Sequence, residues 1–176
     1  MANLIQSAKE RVSEILQSAY EKAAEKGQLP AGAVLSGTVE IPKDTANGDF
    51  AANHAMTGAR ALRMAPRKIA EALAENVELE GSWFRSVEVA GPGFINFRLS
   101  DKWYGDVIAA INAEGADYGR SAEGRGQKVM VEFVSANPTG PMHMGNARGG
   151  VLGDSLASVL DRAGYDVWRE FYVNDA

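Results

Sequence analysis

The chain has 176 residues, of which 45% are hydrophobic and 23% charged, and its formal net charge at pH 7 is −5. This length allows one large or two small domains with a buried core, and the acidic balance excludes a protein that binds nucleic acid over its whole surface. The absence of cysteine excludes disulfides and thiolate metal sites and fits a reducing cytoplasm. No apolar run approaches the roughly 20 residues that span a bilayer, so we expect a cytoplasmic protein with no membrane partner.

The first part of the chain predicts a mixture of helices and strands. Residues 3–26 predict an amphipathic helix, because apolar side chains recur at spacings of three and four. Residues 34–42 predict a strand. A polar loop over residues 43–53 then leads into a helix predicted over residues 50–64, with Asp49 or a residue nearby as its N-cap.

Three more elements complete this region. Pro66 begins a helix over residues 66–75, since proline is favoured at the first helical position. Residues 87–89 and 94–99 alternate as strands around a Gly-Pro-Gly turn, which predicts a hairpin. An amphipathic helix follows over residues 101–113, with Trp103, Val107, Ile108 and Ile111 facing inward. We therefore predict an α+β domain over residues 1–114, with helices on an antiparallel sheet, and a Gly-rich linker over residues 115–127.

A local basic cluster lies on the two central helices of this domain. Its members are Arg60, Arg63, Arg67 and Lys68. A solvated helix face and a contact with an RNA backbone both account for such a cluster. His54 is interpreted as a partly buried structural or capping residue rather than a ligand.

The C-terminal region predicts a βαβ unit over residues 128–176. Residues 129–134 form a β-branched run typical of a buried strand, and residues 166–173 form a second strand. Between them lie a Pro- and Gly-rich loop and a helix over residues 146–162, capped by Asn146. Its predicted inward face comprises Val151, Leu152, Leu156, Val159 and Leu160. The loop follows the carboxyl end of the first strand, where parallel sheets bind ligands, and the helix offers free N–H groups to a phosphate. These features predict a nucleotide site.

The exact sequence of this loop is more specific than its composition. The stretch EFVSANPTGPMHMGNARG, with the ending YVNDA, resembles class I aminoacyl-tRNA synthetases, and the arginyl-tRNA synthetase family in particular. The four residues HMGN, which end at Asn146, stand where the most familiar form of the signature reads HIGH, so that asparagine replaces a second histidine. The stretches NGDFAAN and VAGPGFINFRLS resemble the additional N-terminal domain of the same family.

This resemblance implies a fold and an activity. The C-terminal region becomes the first βαβ unit of a Rossmann-like class I catalytic domain. The enzyme would activate L-arginine with ATP, accompanied by Mg²⁺, and transfer arginine to tRNA(Arg). We expect no protein-bound metal and no DNA partner. The N-terminal domain would contact the tRNA, which makes the basic cluster a candidate RNA contact.

The resemblance also implies site residues. His143 and Asn146 are the expected catalytic residues. The expected ATP-binding residues are Pro141, His143, Gly145 and Asn146, and the expected arginine-binding residues are Glu132, Ser135 and Asn137. Burial of Glu132 in an apolar strand would be costly without a partner.

One βαβ unit is only part of a doubly wound nucleotide-binding domain. We therefore expect the chain to be the N-terminal part of a longer synthetase and to be inactive by itself. Two alternatives stay open. One is a stand-alone synthetase-like module that binds tRNA without catalysis, and the other is a nucleotidyltransferase that acts on a small molecule through an HxGx loop.

Overall fold

The computed structural model describes residues 3–174. The chain divides between Ala113 and Glu114 into two compact units, which we call the N-terminal unit and the C-terminal unit. Across residues 3–174, none of the helices combines the length and apolar composition that a membrane crossing requires.

The N-terminal unit is a four-stranded antiparallel sheet with helices. The strands lie in the order β1–β2–β4–β3. In chain order the elements are α1 (Leu4–Glu25), β1 (Val39–Glu40), β2 (Phe50–Ala52), α2 (His54–Leu62), α3 (Pro66–Asn76), β3 (Phe84–Ala90), β4 (Phe94–Leu99) and α4 (Asp101–Glu114), whose last residue opens the C-terminal unit. The predicted α+β fold with an antiparallel sheet is confirmed.

Helix α1 supplies one side of the core. Its N-cap Asn3 accepts a hydrogen bond from the N–H of Gln6 at 3.1 Å, which satisfies one of the free donors of the first turn. The buried positions of α1 are Ala8, Val12, Ile15, Leu16, Ala19, Tyr20 and Ala23. This stripe follows the three- and four-residue spacing that predicted the helix, and it joins one buried cluster with the apolar side chains of β2 and β4.

The predicted helix start at Asp49 is wrong. Phe50 and Ala52 form strand β2 in the interior of the sheet, opposite Phe97 and Ile95 of β4. The Asp49 carboxylate accepts the backbone N–H of Leu99 at 2.7 Å instead of capping a helix. The buried Phe50 ring meets Phe84 edge-on at 6.1 Å between centroids, so tertiary packing overrides the local turn signal.

Two other expectations for this unit need correction. The strand predicted over residues 34–42 is reduced to the two residues of β1, because only Val39 and Glu40 pair with a neighbour. In α4, Trp103 packs against the core, but Ile108 and Ile111, predicted to face inward, are 61% and 41% exposed. Helical periodicity identified α4 correctly, whereas the predicted apolar face is only partly covered.

The C-terminal unit contains a βαβ arrangement, as predicted. Strands β5 (Lys128–Glu132) and β6 (Asp166–Glu170) pair in parallel, and helix α5 (Met144–Arg162) connects them. The predicted inward face of α5 is wrong. Val151, Leu152, Leu156 and Val159 are 49–72% exposed, and the buried positions of the helix are Gly153 and Ala157.

Two glycines, Gly153 and Gly150, allow α5 to lie very close to the end of β5. A Cβ added at Gly153 would lie 2.3 Å from Cγ of Phe133, and one added at Gly150 would lie 3.0 Å from Cγ2 of Val134. Larger residues at these helix positions would push α5 away from the strand.

The predicted linker over residues 115–127 is bonded to the end of α5. The backbone N–H groups of Ser121 and Gly124 donate to the carbonyls of Arg162 and Ala163 at 2.9 and 2.8 Å. Arg120 also forms an ion pair with Asp161 at 3.0 Å. This segment therefore belongs structurally to the C-terminal unit.

His54 makes the N-terminal unit sensitive to pH. Its side chain is 2% exposed, its Nδ1 has no hydrogen-bond partner among the described residues, and burial lowers its pKa. The unfolded chain binds a proton near the ordinary histidine pKa of about 6.5, whereas the folded chain resists it. The free energy of unfolding therefore falls as the pH drops below about 6.5, by at most about 1.4 kcal/mol per pH unit. Urea unfolding at about pH 7.5 and about pH 5.5, followed by amide signals of the N-terminal unit, measures this loss.

The variant His54→Gln is the control for this loss. It removes the titrating group, so its stability should fall less than that of the wild type between the two pH values. An equal fall in both proteins would assign the pH dependence to other groups.

The contact between Gly153 and Phe133 predicts opposite effects for two glycine substitutions in α5. Gly153→Ala should destabilise the C-terminal unit by about 1–3 kcal/mol, because its Cβ overlaps the Phe133 side chain. Gly149→Ala is the matched control, since a Cβ there meets nothing within 4 Å. It should stabilise the unit by up to about 1 kcal/mol through helix propensity. Thermal unfolding compares the two variants, and equal stability would contradict the packing argument.

Candidate functional site

A cavity of about 780 Å³ lies at the carboxyl ends of the two parallel strands. Its walls come from the loop that follows β5, from the start of α5 and from the residues that follow β6. The lining residues are Ser135, Ala136, Asn137, Pro138, Thr139, Gly140, Pro141, Met142, His143, Asn146, Phe171, Val173 and Asn174. None of these residues is Asp, Glu, Lys or Arg, so the lining combines amide, hydroxyl, imidazole and apolar groups.

The loop leaves β5 through a strained turn. Val134 adopts φ of 59°, a left-handed conformation that costs a β-branched residue on the order of 1–3 kcal/mol. The N–H of Ala136 donates to the Val134 carbonyl at 2.6 Å and closes the turn. This turn redirects the chain at the end of the strand, and Ser135 to Asn137 then line the cavity.

Two polar side chains tie the loop to the segment after β6. The Ser135 hydroxyl accepts the backbone N–H of Tyr172 at 3.0 Å. The amide of Asn174 donates to Oδ1 of Asn137. These bonds connect the two walls of the cavity, so the positions of Ser135 and Asn137 depend on the residues that follow β6.

Helix α5 begins with a capping box. His143 is the N-cap, in place of the predicted Asn146, and its Nδ1 accepts the backbone N–H of Gly145 at 3.0 Å. Asn146 lies one turn into the helix, and its Oδ1 accepts the backbone N–H of His143 at 3.0 Å. The two side chains thus each satisfy a backbone donor of the first turn.

The capping box changes what the helix start offers to a ligand. The N–H groups of Asn146 and Ala147 donate to the His143 carbonyl at 3.0 and 3.2 Å, and that of Gly145 is bound by the imidazole. The expectation of several free N–H groups is therefore wrong for these three residues. The positive end of the helix dipole remains, together with Nε2 of the His143 ring.

Gly145 makes room for the His143 side chain. A Cβ at this position would lie 2.9 Å from Cε1 and 3.0 Å from Nδ1 of that ring. An alanine here would displace the imidazole from the first turn of the helix. Gly145 therefore affects the site only through the space it leaves for this ring, since it is not among the cavity-lining residues.

The structure brings together five of the seven residues expected to bind ATP or arginine. Ser135, Asn137, Pro141, His143 and Asn146 line the cavity, whereas Gly145 and Glu132 do not. Glu132 is the last residue of β5 and is exposed, so its expected burial is wrong.

Sequence reasoning assigned no role to the residues that close the cavity after β6. Phe171, Val173 and Asn174 complete the lining. The signal was present, since Val173 and Asn174 belong to the YVNDA ending that carried the family resemblance. Their place in the cavity wall depends on the pairing of β5 with β6, and this pairing is known only from the fold.

Among the described residues, no group of three or more His, Cys, Asp or Glu side chains is arranged to hold a metal ion. The lining of the cavity accordingly offers neutral hydrogen-bonding groups rather than a carboxylate cluster.

The basic cluster lies on the surface of the N-terminal unit. Arg60, Arg63, Arg67 and Lys68 are all exposed. Arg67 forms an ion pair with Glu71 at 3.0 Å and donates to the carbonyl of Gly91 at 3.1 Å. Arg67 and Lys68 occupy the first turn of α3, whose N-cap Ala65 offers no side-chain cap and which has no acidic residue there. The positive end of a helix disfavours such cations, an effect that the Glu71 carboxylate offsets for Arg67.

Two protein-family models match the chain. The model described as the arginyl tRNA synthetase N terminal domain matches residues 6–99. The model described as the catalytic domain of class I tRNA synthetases (R) matches residues 107–176. The chain belongs to the arginyl-tRNA synthetase family.

Curated relatives agree with this family assignment. The arginine–tRNA ligase of Acetivibrio thermocellus is 52% identical over 176 residues, which cover 100% of this chain and 31% of the relative. The arginine–tRNA ligase of Caldanaerobacter subterraneus subsp. tengcongensis shows the same identity and coverage. The chain thus spans 31% of the length of these arginyl-tRNA synthetase relatives.

A solved structure supports the fold. The crystal structure of arginyl-tRNA synthetase from Plasmodium falciparum is similar with a TM-score of 0.52 and 20% sequence identity, over 95% of this chain and 30% of that chain.

Proposed function

We propose that the C-terminal unit forms part of the ATP and arginine site of an arginine–tRNA ligase. Such an enzyme activates L-arginine with ATP and transfers it to tRNA(Arg) in the cytoplasm. The observation that carries this proposal is the cavity at the carboxyl ends of β5 and β6, with His143 at the start of α5. Parallel α/β sheets bind nucleotides at this edge, and family membership supplies the reaction.

His143 is the proposed hydrogen-bond donor to the α-phosphate of ATP. Negative charge develops on that phosphoryl group when the arginine carboxylate attacks it, and donors fixed in advance lower the barrier. The helix dipole of α5 adds a favourable potential at the same place. Pro141 and Asn146, which line the same cavity, are proposed as further ATP contacts, and Gly145 leaves the space in which the imidazole rests.

Ser135 and Asn137 are the proposed contacts to arginine. Both line the cavity, and both are fixed by hydrogen bonds to the segment after β6. Their neutral polar groups suit the α-amino and carboxylate groups of an amino acid. Glu132 lies outside the lining, so the cavity gives no support to the arginine contact expected of it.

Mg²⁺ is proposed to arrive with ATP. This ion prefers phosphate oxygens, water and one or two carboxylates, and the lining contains no carboxylate. The phosphates would therefore supply its main ligands, while the residues of this chain orient the nucleotide.

The N-terminal unit is proposed to contact tRNA through the basic cluster. Two cations at an uncapped helix start are stabilised by an anion there, and phosphates of an RNA backbone provide it. The same cluster would serve the alternative function, a synthetase-like module that binds tRNA without catalysis. ATP binding distinguishes the two functions.

ATP binding tests the role of His143. The variant His143→Asn keeps a good N-cap residue and removes the imidazole. Loss of one hydrogen bond to a charged phosphate should weaken ATP binding about 10- to 100-fold, with the helix content unchanged. Isothermal titration of this chain with Mg–ATP measures the affinity, and circular dichroism measures the helix content.

The control for this titration is Val159→Ala, an exposed position near the other end of α5. It should bind ATP as the wild type does. Equal affinity of His143→Asn and the wild type would refute the proposed donor. Absence of ATP binding by the wild type, together with retained tRNA binding, would favour the non-catalytic module.

The basic cluster is tested by a double substitution. Arg60→Ala/Lys68→Ala removes two exposed charges and leaves the Arg67–Glu71 ion pair intact. If both residues contact phosphates, the affinity for tRNA(Arg) should fall, and the slope of log affinity against log salt should decrease by about 1 per contact. Titration of tRNA at several salt concentrations measures both quantities.

The matched control is Lys9→Ala/Arg11→Ala on helix α1, which changes the net charge equally. Its tRNA affinity and salt slope should stay close to those of the wild type. The same loss in both double variants would show diffuse electrostatic attraction rather than a local RNA contact.

A further inference from the structure

The capping box at the start of α5 determines which nitrogen of His143 carries hydrogen. Nδ1 of His143 accepts the N–H of Gly145 at 3.0 Å. A ring nitrogen that accepts a hydrogen bond has no hydrogen of its own, so the neutral imidazole carries its hydrogen on Nε2. The donor of the neutral ring is therefore Nε2–H, on a side chain that lines the cavity.

Asn146 holds the residue from which this ring extends. Its Oδ1 accepts the backbone N–H of His143 at 3.0 Å and closes the other half of the capping box. His143 is thereby fixed in an extended conformation, with φ of −105° and ψ of 174°. This backbone conformation directs the imidazole back onto the N–H of Gly145, and the missing side chain of Gly145 gives the ring its space.

The chemistry of the two side chains separates their roles. The amide oxygen of Asn146 is engaged by a backbone donor inside the protein, whereas Nε2 of His143 is left to donate. An acceptor at position 146 is therefore what the helix start requires, and the amide nitrogen takes no part in the cap.

We infer that Asn146 is a positioning residue: through its amide oxygen it fixes His143 in the Nε2–H tautomer, with that donor available to the cavity. The use of this donor toward a phosphate rests on the proposed function, whereas the fixed tautomer does not. This inference explains why asparagine can stand where the most familiar form of the signature has a second histidine, since the cap needs an acceptor and not a charge.

Nitrogen NMR of this chain tests the inference directly. The chain has only two histidines, His54 and His143, so the ¹⁵N signals of both rings can be assigned by His54→Gln. At about pH 8, well above the ordinary titration range of histidine, the two ring nitrogens of His143 should show the widely separated shifts of a single Nε2–H tautomer.

Two variants separate positioning from direct ligand contact. Asn146→Ala removes the acceptor, so the two nitrogen shifts of His143 should move toward the average of both tautomers. Asn146→Asp keeps an acceptor of the same length and removes the amide donor, so it should retain the wild-type pattern. The His54 signals and the amide spectrum of the remaining chain report that each variant is folded.

Three results would overturn the inference: averaged shifts in the wild type, an unchanged pattern in Asn146→Ala, or an aspartate variant that behaves like the alanine variant. Addition of Mg–ATP to the wild type tests the proposed function separately. If the tautomer depends on residue 146 but ATP leaves the His143 signals unmoved, the proposed function fails and the positioning role stands. If ATP moves these signals while the tautomer is independent of residue 146, the positioning role fails and the proposed function stands.

Discussion

The close approach of helix α5 to the end of strand β5 is the constraint on which the candidate site depends. Gly153 lies against the Phe133 side chain, and Gly150 lies against Val134. These contacts hold the middle of the helix against the point where the chain leaves the sheet. The strained turn at Val134 and the bonds from Ser135 and Asn137 then complete a cavity at the strand ends.

The polar groups of this site are organised before any ligand arrives. The capping box uses the N–H groups of His143 and Gly145 internally and leaves the imidazole as the donor at the helix start. A donor held in this way needs little reorganisation when charge develops on a phosphoryl group, which is the condition for electrostatic stabilisation of a transition state. The strain at Val134 is a cost that a scaffold tolerates where it fixes functional geometry.

In the N-terminal unit, the candidate functional residues are separate from the packed core. Its core is built from the apolar stripe of α1 and from the aromatic and aliphatic residues of β2 and β4. Its candidate functional residues are exposed charges on α2 and α3, away from that core. Exposed charges act through a local electrostatic potential that salt screens, so the proposed contribution of this cluster to RNA binding would depend strongly on salt.

The sequence by itself determined the α+β character of the first region, the βαβ unit of the second, the position of the candidate site and the family. These features rest on helical periodicity, β-branched runs and a long specific stretch around His143, all of which are local in the chain. The tertiary structure decided the rest. Phe50 lies in a central strand because β4 pairs with it, and α5 packs through Gly153 because only a residue without a side chain fits against Phe133. Asn146 supports the N-cap residue His143 because the N-cap of α5 lies three residues earlier than the local signals predict. Each of these outcomes depends on contacts between residues distant in sequence or on backbone geometry, which residue patterns do not encode.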